Sequence, residues 1–337
     1  MQTIVTSSPA KVILFGEHGV NRQQPALATA VDLRTECRVS LRGAGGYSFL
    51  SGNLREEGDV ASLRTFRTEI DGLRAGEEFD AIREAARDFF APARYVLAHV
   101  LDRTDRLDVD ISWRSSLPIG SGMGSGAAAT TSMVLGVCTW LGAEPSSAEI
   151  VEMAWQGDVI AHGGVASSLD SSTSVHGGLV RYTTAAGLEM LPIQTRLPLV
   201  IGDTQVRHNT AALNTHVRRW LDQRPSRMQL FRDMGYLVAL ATEAIRAEDL
   251  TALGHLMNLH QLLQEKMGVS TPENERLIEA ALAAGALGAK ISGSGGGGII
   301  IALADPDRQA GVAAAIEAVG GKSFLATTGS PGSRVEA

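Results

Sequence analysis

Pro118-Ile119-Gly120-Ser121-Gly122-Met123-Gly124-Ser125-Gly126-Ala127-Ala128 is the stretch on which the fold turns. Ahead of it, Leu107–Trp113 alternates polar and apolar residues, as a half-buried strand does. Behind it, Ala127–Leu141 reads as a buried helix, Ala-rich at its start. A glycine loop that opens a helix leaves backbone N–H groups free at the positive end of the helix dipole, an arrangement that suits a phosphate. A tight turn with close helix packing, favoured by Ala127–Ala129, would use the same residues. No Lys-Ser/Thr follows, so this is not a Walker loop, and the glycine spacing is not that of a dinucleotide fingerprint.

Outward from this loop, the chain holds a second dense glycine run, Lys290-Ile291-Ser292-Gly293-Ser294-Gly295-Gly296-Gly297-Gly298. It satisfies G-x-G-x-x-G, but it feeds the apolar strand Ile299–Leu303 where a dinucleotide site needs a helix. Four consecutive glycines exceed what a turn requires, and close approach of backbone to a ligand is the better account. Strands are expected at Thr3–Val12, Thr35–Ser40, Tyr47–Ser51, Leu179–Tyr182, Glu189–Pro192, Leu197–Asp203 and Lys322–Ala326. Helices are expected within Phe79–Val100, broken at Pro92, and from Ser147, where Ser146 and Glu149 supply a start signal. Four more helices follow between Ala211 and Ala284, and another over Asp307–Val319. Arg55–Asp71 reads as a charged, exposed excursion, and Thr327–Ala337 as a frayed tail. The mixture lacks strict βα alternation and points to an α+β fold, divided near Pro192–Pro198 into residues 1–195 and 196–330 with a tail at 331–337.

The chain has 337 residues, 44% apolar and 20% charged, enough to build a large core without disulfides or metal staples. Lys+Arg number 30 against 37 Asp+Glu, a net charge of −7 that disfavours nucleic acid and anionic membranes as partners. An anionic substrate would need a local cluster of donors, because the global field opposes it. Cys37 and Cys138 lie in apolar or β-like surroundings and read as reduced core residues. No stretch approaches the ~20 apolar residues of a membrane span, and a cytoplasmic protein is expected.

Four further residues are candidates for chemistry. Asp170 is the one acid in Gly163–Ser172, which reads as a small-residue loop where a turn Asp or a substrate-facing acid would both fit. Lys11 opens an apolar strand, as an edge-strand charge or as a functional amine. Glu17 and His18 follow Gly16 in a turn. The histidines form no ligand-spaced set, so a transition-metal site is not expected.

Taken together, Pro9–His18, Pro118–Ala128 and Lys290–Gly298 resemble the three motifs of the GHMP kinase superfamily, in order, and are most similar to the mevalonate kinase family. Asp203–Thr210 and Met257–Leu263, with Gly268–Pro272 after it, extend the likeness along the chain. The resemblance implies a ribosomal-protein-S5-like N-terminal domain, a ferredoxin-like C-terminal domain, and ATP-dependent phosphorylation of a small alcohol, for mevalonate the 5-hydroxyl. It implies Asp170 as catalytic acid, with Lys11 holding it ionised and activating the hydroxyl. Glu17, His18 and Thr210 would border the acceptor. ATP would lie against Pro118, Gly120, Gly122, Gly124, Ser125, Gly126 and Ala127, with Gly293, Gly295, Gly296 and Gly297 closing over it.

Two departures concern Mg²⁺. The family loop usually carries a second serine, which binds the ion, where this chain has Gly126, leaving Ser125, Thr130 or water. The family's upstream Glu is absent, and Asp158 is the substitute. Another GHMP kinase acting on phosphomevalonate, homoserine or a sugar, or a non-catalytic ATP-binding regulator, are the alternatives, and the sequence leaves a homodimer open.

Overall fold

A computed structural model describes residues 3–117, 122–207 and 210–336, with the side chains of 210 and 211 outside that description. The first half runs β1 (Ile4–Phe15), β2 (Ala26–Leu41), β3 (Gly46–Ser51), β4 (Leu54–Gly58), α1 (Val60–Ala75), α2 (Phe79–Ala85) and α3 (Ala91–Val100). It continues with β5 (Asp108–Ser115), α4 (Ser125–Trp140), α5 (Ser147–Ala161), α6 (Leu169–His176), β6 (Leu179–Thr183) and β7 (Gly187–Leu191). The second half holds β8 (Pro198–Asp203), α7 (Thr210–Asp222), α8 (Met228–Arg246), α9 (Leu250–Lys266), α10 (Pro272–Ala283) and β9 (Gly288–Ser292). It ends with β10 (Ile299–Leu303), α11 (Gln309–Ala318), β11 (Lys322–Thr327) and β12 (Arg334–Val335).

The long strand β2 organises the first sheet. One edge carries β1; the other is shared, with β6 on residues 26–29 and β5 on residues 35–41. The β1–β2 register slips between Pro9 and Ala10. Proline has no N–H to give a ladder, so it belongs at such an irregularity, which re-aims the strand just before Lys11. The second sheet is fully antiparallel, in the order β11-β8-β10-β9. Its central strands β8 and β10 are covered on both faces, which explains the apolar runs Leu199–Ile201 and Ile299–Leu303. Leu199, Ile201, Ile299, Ile301 and Leu303 join a core with Val12, Leu14 and Leu27 of the first sheet. The alternate residues Val200, Ile300 and Ala302 pack on Leu277, Val312 and Ile316 of α10 and α11. The α+β architecture expected from the sequence is present, and its largest core is shared by both sheets.

Three expectations need correction. Arg55–Asp71 is not an irregular excursion: it forms β4 and most of α1, which Asp59 and Ser62 start with a reciprocal cap. Only Leu63 and Ile70 of α1 are buried, too sparse an apolar stripe to show in the sequence. Asp170 stands not in a loop but in the first turn of α6, a helix of serines and threonines held by packing rather than propensity. The end of the chain is not frayed: β12 pairs with β1, and Arg34 donates to the carbonyls of Pro331 (2.7 Å) and Gly332 (2.8 Å).

Candidate active site

Lys11 and Asp170 meet in the wall of a cavity of about 690 Å³. Lys11 Nζ lies 3.0 Å from Asp170 Oδ1 and donates weakly to the Gly122 carbonyl at 3.4 Å. The Lys11 N–H also donates to the Met123 carbonyl (3.0 Å), so the strand end and the glycine loop are tied together. Gly124, with φ of 68°, is the N-cap of α4, and a Cβ there would come 3.0 Å from Lys11 Cγ. Glycine is therefore required both by the left-handed backbone and by the lysine stem. Among the described residues no side chain caps α4, which leaves its first-turn amides for a ligand. Pro118 and Gly120 fall outside the described residues.

Glu17 and His18 both line the cavity, and each is also tied to the second glycine run. Glu17 is buried and forms an ion pair with Lys290 Nζ, the lysine that opens the second glycine run. Burial pushes Glu17 up and Lys290 down, and each is pulled back by the charge of the other. His260 Nε2 accepts from the Gly16 N–H at 3.0 Å, so it carries a lone pair, and its 3.5 Å approach to Glu17 Oε2 is not an ion pair. His18 lines the cavity, held by a 2.8 Å bond between its Nε2 and the Ser294 carbonyl. Burial above all lowers its pKa to about 4, so the ring is neutral near pH 7.

The two glycine runs come together: a Cβ on Gly122 would lie 3.8 Å from the Ser292 carbonyl, and both Gly122 and Gly293 line the cavity. Beyond Gly293 and Ser294, the second run differs from expectation. The N–H groups of Gly296 and Gly298 donate to the carbonyls of Val269 (2.8 Å) and Val206 (3.0 Å), and that of Gly297 to Asn274 Oδ1 (3.0 Å). Those amides are taken by the protein, so Gly296 and Gly297 do not offer bare donors to a triphosphate. A Cβ at Gly295 would stand 2.3 Å from the Val269 carbonyl and one at Gly297 2.7 Å from that of Val206. The close approach these two glycines permit is to the protein backbone at Val269 and Val206.

Asp158, on α5, also lines the cavity and accepts from Ser171 Oγ. Burial first, and the negative charge of Asp170 second, raise its pKa to about 7. Thr130 is buried and is not part of the cavity lining, and its hydroxyl donates to the helix carbonyls of Gly126 (3.1 Å) and Ala127 (3.2 Å). The Gly163–Ser168 segment between Asp158 and Asp170 is pinned by Trp155 Nε1, which donates to the Ala166 carbonyl at 2.9 Å.

Residues 91–178 match the N-terminal domain of the GHMP kinases, and residues 241–322 match the GHMP kinase C-terminal domain. A mevalonate kinase of Pyrococcus horikoshii is 34% identical over 99% of this chain and 98% of its own length. The chain belongs to the GHMP kinases. Among solved structures, Leishmania major mevalonate kinase in complex with R-mevalonate is similar, with TM-score 0.78 and 25% identity over 98% of this chain and 96% of that one. The Methanococcus jannaschii mevalonate kinase shares the fold, with TM-score 0.83 at 20% identity, covering 97% of this chain and 98% of that one.

As a GHMP kinase the chain is a small-molecule kinase, and its cavity contains residues that motif reading passes over. Arg22, four residues beyond His18, and Asn214, Thr215 and Arg218 of α7 all line it. The spacing of Asn214, Arg218 and Leu221 at i, i+4 and i+7 is the signal that one face of α7 serves the site. Thr210 opens α7, and its side chain lies outside the description. Cys37 and Cys138 are buried, free thiols, as expected. No helix among the described residues is long and apolar enough to cross a membrane.

Proposed function

We propose that this GHMP kinase transfers the γ-phosphoryl group of ATP to the 5-hydroxyl of mevalonate, giving 5-phosphomevalonate and ADP. The observation that carries the reading is the Lys11–Asp170 pair, 3.0 Å apart, beside the uncapped start of α4 in one cavity. Phosphoryl transfer asks the protein mainly for in-line placement and neutralisation of charge. The amides of Ser125, Gly126 and Ala127 and the dipole of α4 face the triphosphate, with Gly122 and Gly293 on its flank. Asp170 takes the hydroxyl proton as the new O–P bond forms. A carboxylate is a weak base towards an alcohol, so the Lys11 ammonium shares the task by stabilising the charge that develops on the oxygen. The acceptor is supported by the Pyrococcus relative, alike over its whole length.

Mg²⁺ fits the residues present. Among the described residues no three His, Cys, Asp or Glu side chains cluster to hold a metal. That accords with an ion bound by one or two carboxylates and substrate phosphates. Asp158 is a buried carboxylate raised by its like-charged neighbour Asp170, a repulsion that a cation relieves. Asp158 and Ser125 would hold the ion. When bound, it neutralises β- and γ-phosphate charge.

A coupled ADP-release assay with Mg-ATP tests the proposal, run in parallel with mevalonate, 5-phosphomevalonate, homoserine and galactose. ADP release with mevalonate, and a new phosphate on its C5 oxygen by ³¹P NMR, is the expected result. Turnover of another acceptor in preference to mevalonate would replace the reading.

A further inference from the structure

The cavity has a positive wall that phosphoryl transfer itself leaves unused. Arg22 ends the turn after His18; its Nη1 donates to the His18 carbonyl at 3.1 Å, and its guanidinium lies 4.9 Å from the centre of the Phe231 ring on α8. Arg218 reaches the same space from α7, on the face that carries Asn214 and Leu221. The two guanidiniums are near enough for Arg218 to make protonation of Arg22 less favourable, an effect second to burial, while Asp222 opposes it. Among the described residues neither Arg22 nor Arg218 forms an ion pair, whereas Arg83, on the same cavity, is tied to Asp80.

We infer that Arg22 and Arg218 together bind the carboxylate of the acceptor and set a preference for a hydroxy acid over an uncharged polyol. The inference rests on the proposed function and names the residues that would read the far end of that substrate. Three observations favour it. The chain carries −7 overall, so an anionic acceptor is drawn in only by a local cluster of cations. His18, the residue the motif places at the acceptor, is neutral and has one ring nitrogen engaged with Ser294, so it cannot supply the countercharge. The triphosphate has its own cradle at the start of α4, which leaves the arginine wall to the second substrate. A guanidinium presents a planar fork of donors matched to a carboxylate, and stacking on Phe231 holds the Arg22 fork in place.

The test compares mevalonate with 3-methylpentane-1,3,5-triol, which keeps the hydroxyls and lacks the carboxylate. Arg218→Gln should raise the KM for mevalonate by about ten- to a hundredfold, the loss expected for one charge-assisted contact. The KM for ATP should stay within about twofold, and the preference for mevalonate over the triol should shrink by the same factor as kcat/KM falls. Arg22→Lys, which keeps the charge but loses the fork, should show a smaller loss of the same kind. Melting curves matched to the parent exclude misfolding as the cause. An undiminished preference for mevalonate in Arg218→Gln, or a loss confined to the KM for ATP, would overturn the inference. Parent enzyme that fails to phosphorylate mevalonate at all would instead overturn the acceptor reading, before any variant is made.

Discussion

Asp170 and Asp158 are two carboxylates in one cavity with opposite duties, and each can be tested alone. Asp170→Asn keeps the size of the side chain and removes the base. Turnover should fall by about 10²–10⁴ while ATP still binds, measured as kcat by ADP release and as nucleotide affinity by calorimetry. Parent-like kcat would remove Asp170 from the mechanism. Asp158 bears on stability. Its folded-state pKa is raised to about 7 from 3.8, so between these values the folded chain holds a proton that the unfolded chain has lost. Stability therefore falls as pH rises through that window. Asp158→Asn cannot ionise, so without metal its melting temperature should exceed the parent's by several degrees at pH 8 and by much less at pH 5. An equal difference at both pH values would show that Asp158 does not titrate in this range.

At the scale of elements, the glycines separate into those required by neighbours and those that are not. Gly295 has φ of 79°, and a Cβ there would meet the Val269 carbonyl at 2.3 Å. Gly295→Ala should cost at least about 2 kcal/mol, seen as an earlier urea midpoint, because strain and clash add. Gly126, in the first turn of α4, has nothing within 4 Å of an added Cβ. Gly126→Ala should gain about 0.5–1 kcal/mol through helix propensity in the same assay. If the two variants melted alike, backbone packing would not explain the second glycine run. That run illustrates what sequence reading can and cannot reach. Its glycine density marks a place where backbone is approached closely. Whether the approaching group is a phosphate or Val269 depends on chain segments far away in sequence. The serines and threonines of α6 hid a helix for a related reason: Ser174 Oγ donates to the Pro9 carbonyl, and burial overrides weak propensity.

Across the whole molecule, Glu17 and Lys290 join the turn after β1 to the second sheet through a fully buried ion pair. Such a pair stabilises little by itself, but removing one partner strands the other charge in a low dielectric. Lys290→Met should therefore cost about 3–5 kcal/mol in urea unfolding. The double variant Glu17→Gln/Lys290→Met should recover part of that loss, because no charge is then left buried alone. Additive losses in the double-mutant cycle would show that the two side chains do not interact. The pair also gives Glu17 a duty that its motif position did not suggest: it sets where Lys290 and the Gly293–Ser294 edge of the cavity stand relative to β1.

Taken alone, the sequence determined the elements with strong local signals and the family to which the chain belongs. Period-two strands, the Ser146–Glu149 start of α5 and the glycine-opened helix α4 are carried by residue type and short-range spacing, whereas Lys11 and Asp170, far apart in the chain, are singled out together only by the family resemblance. The tertiary structure alone decided which amides stay free, where Glu17 points, and that Arg22 and Arg218 share a cavity with Lys11 and Asp170. Those outcomes depend on contacts between residues distant in the chain, from Gly297–Asn274 to Glu17–Lys290, and the burial and charge that fix them exist only once the two sheets have packed on a common core.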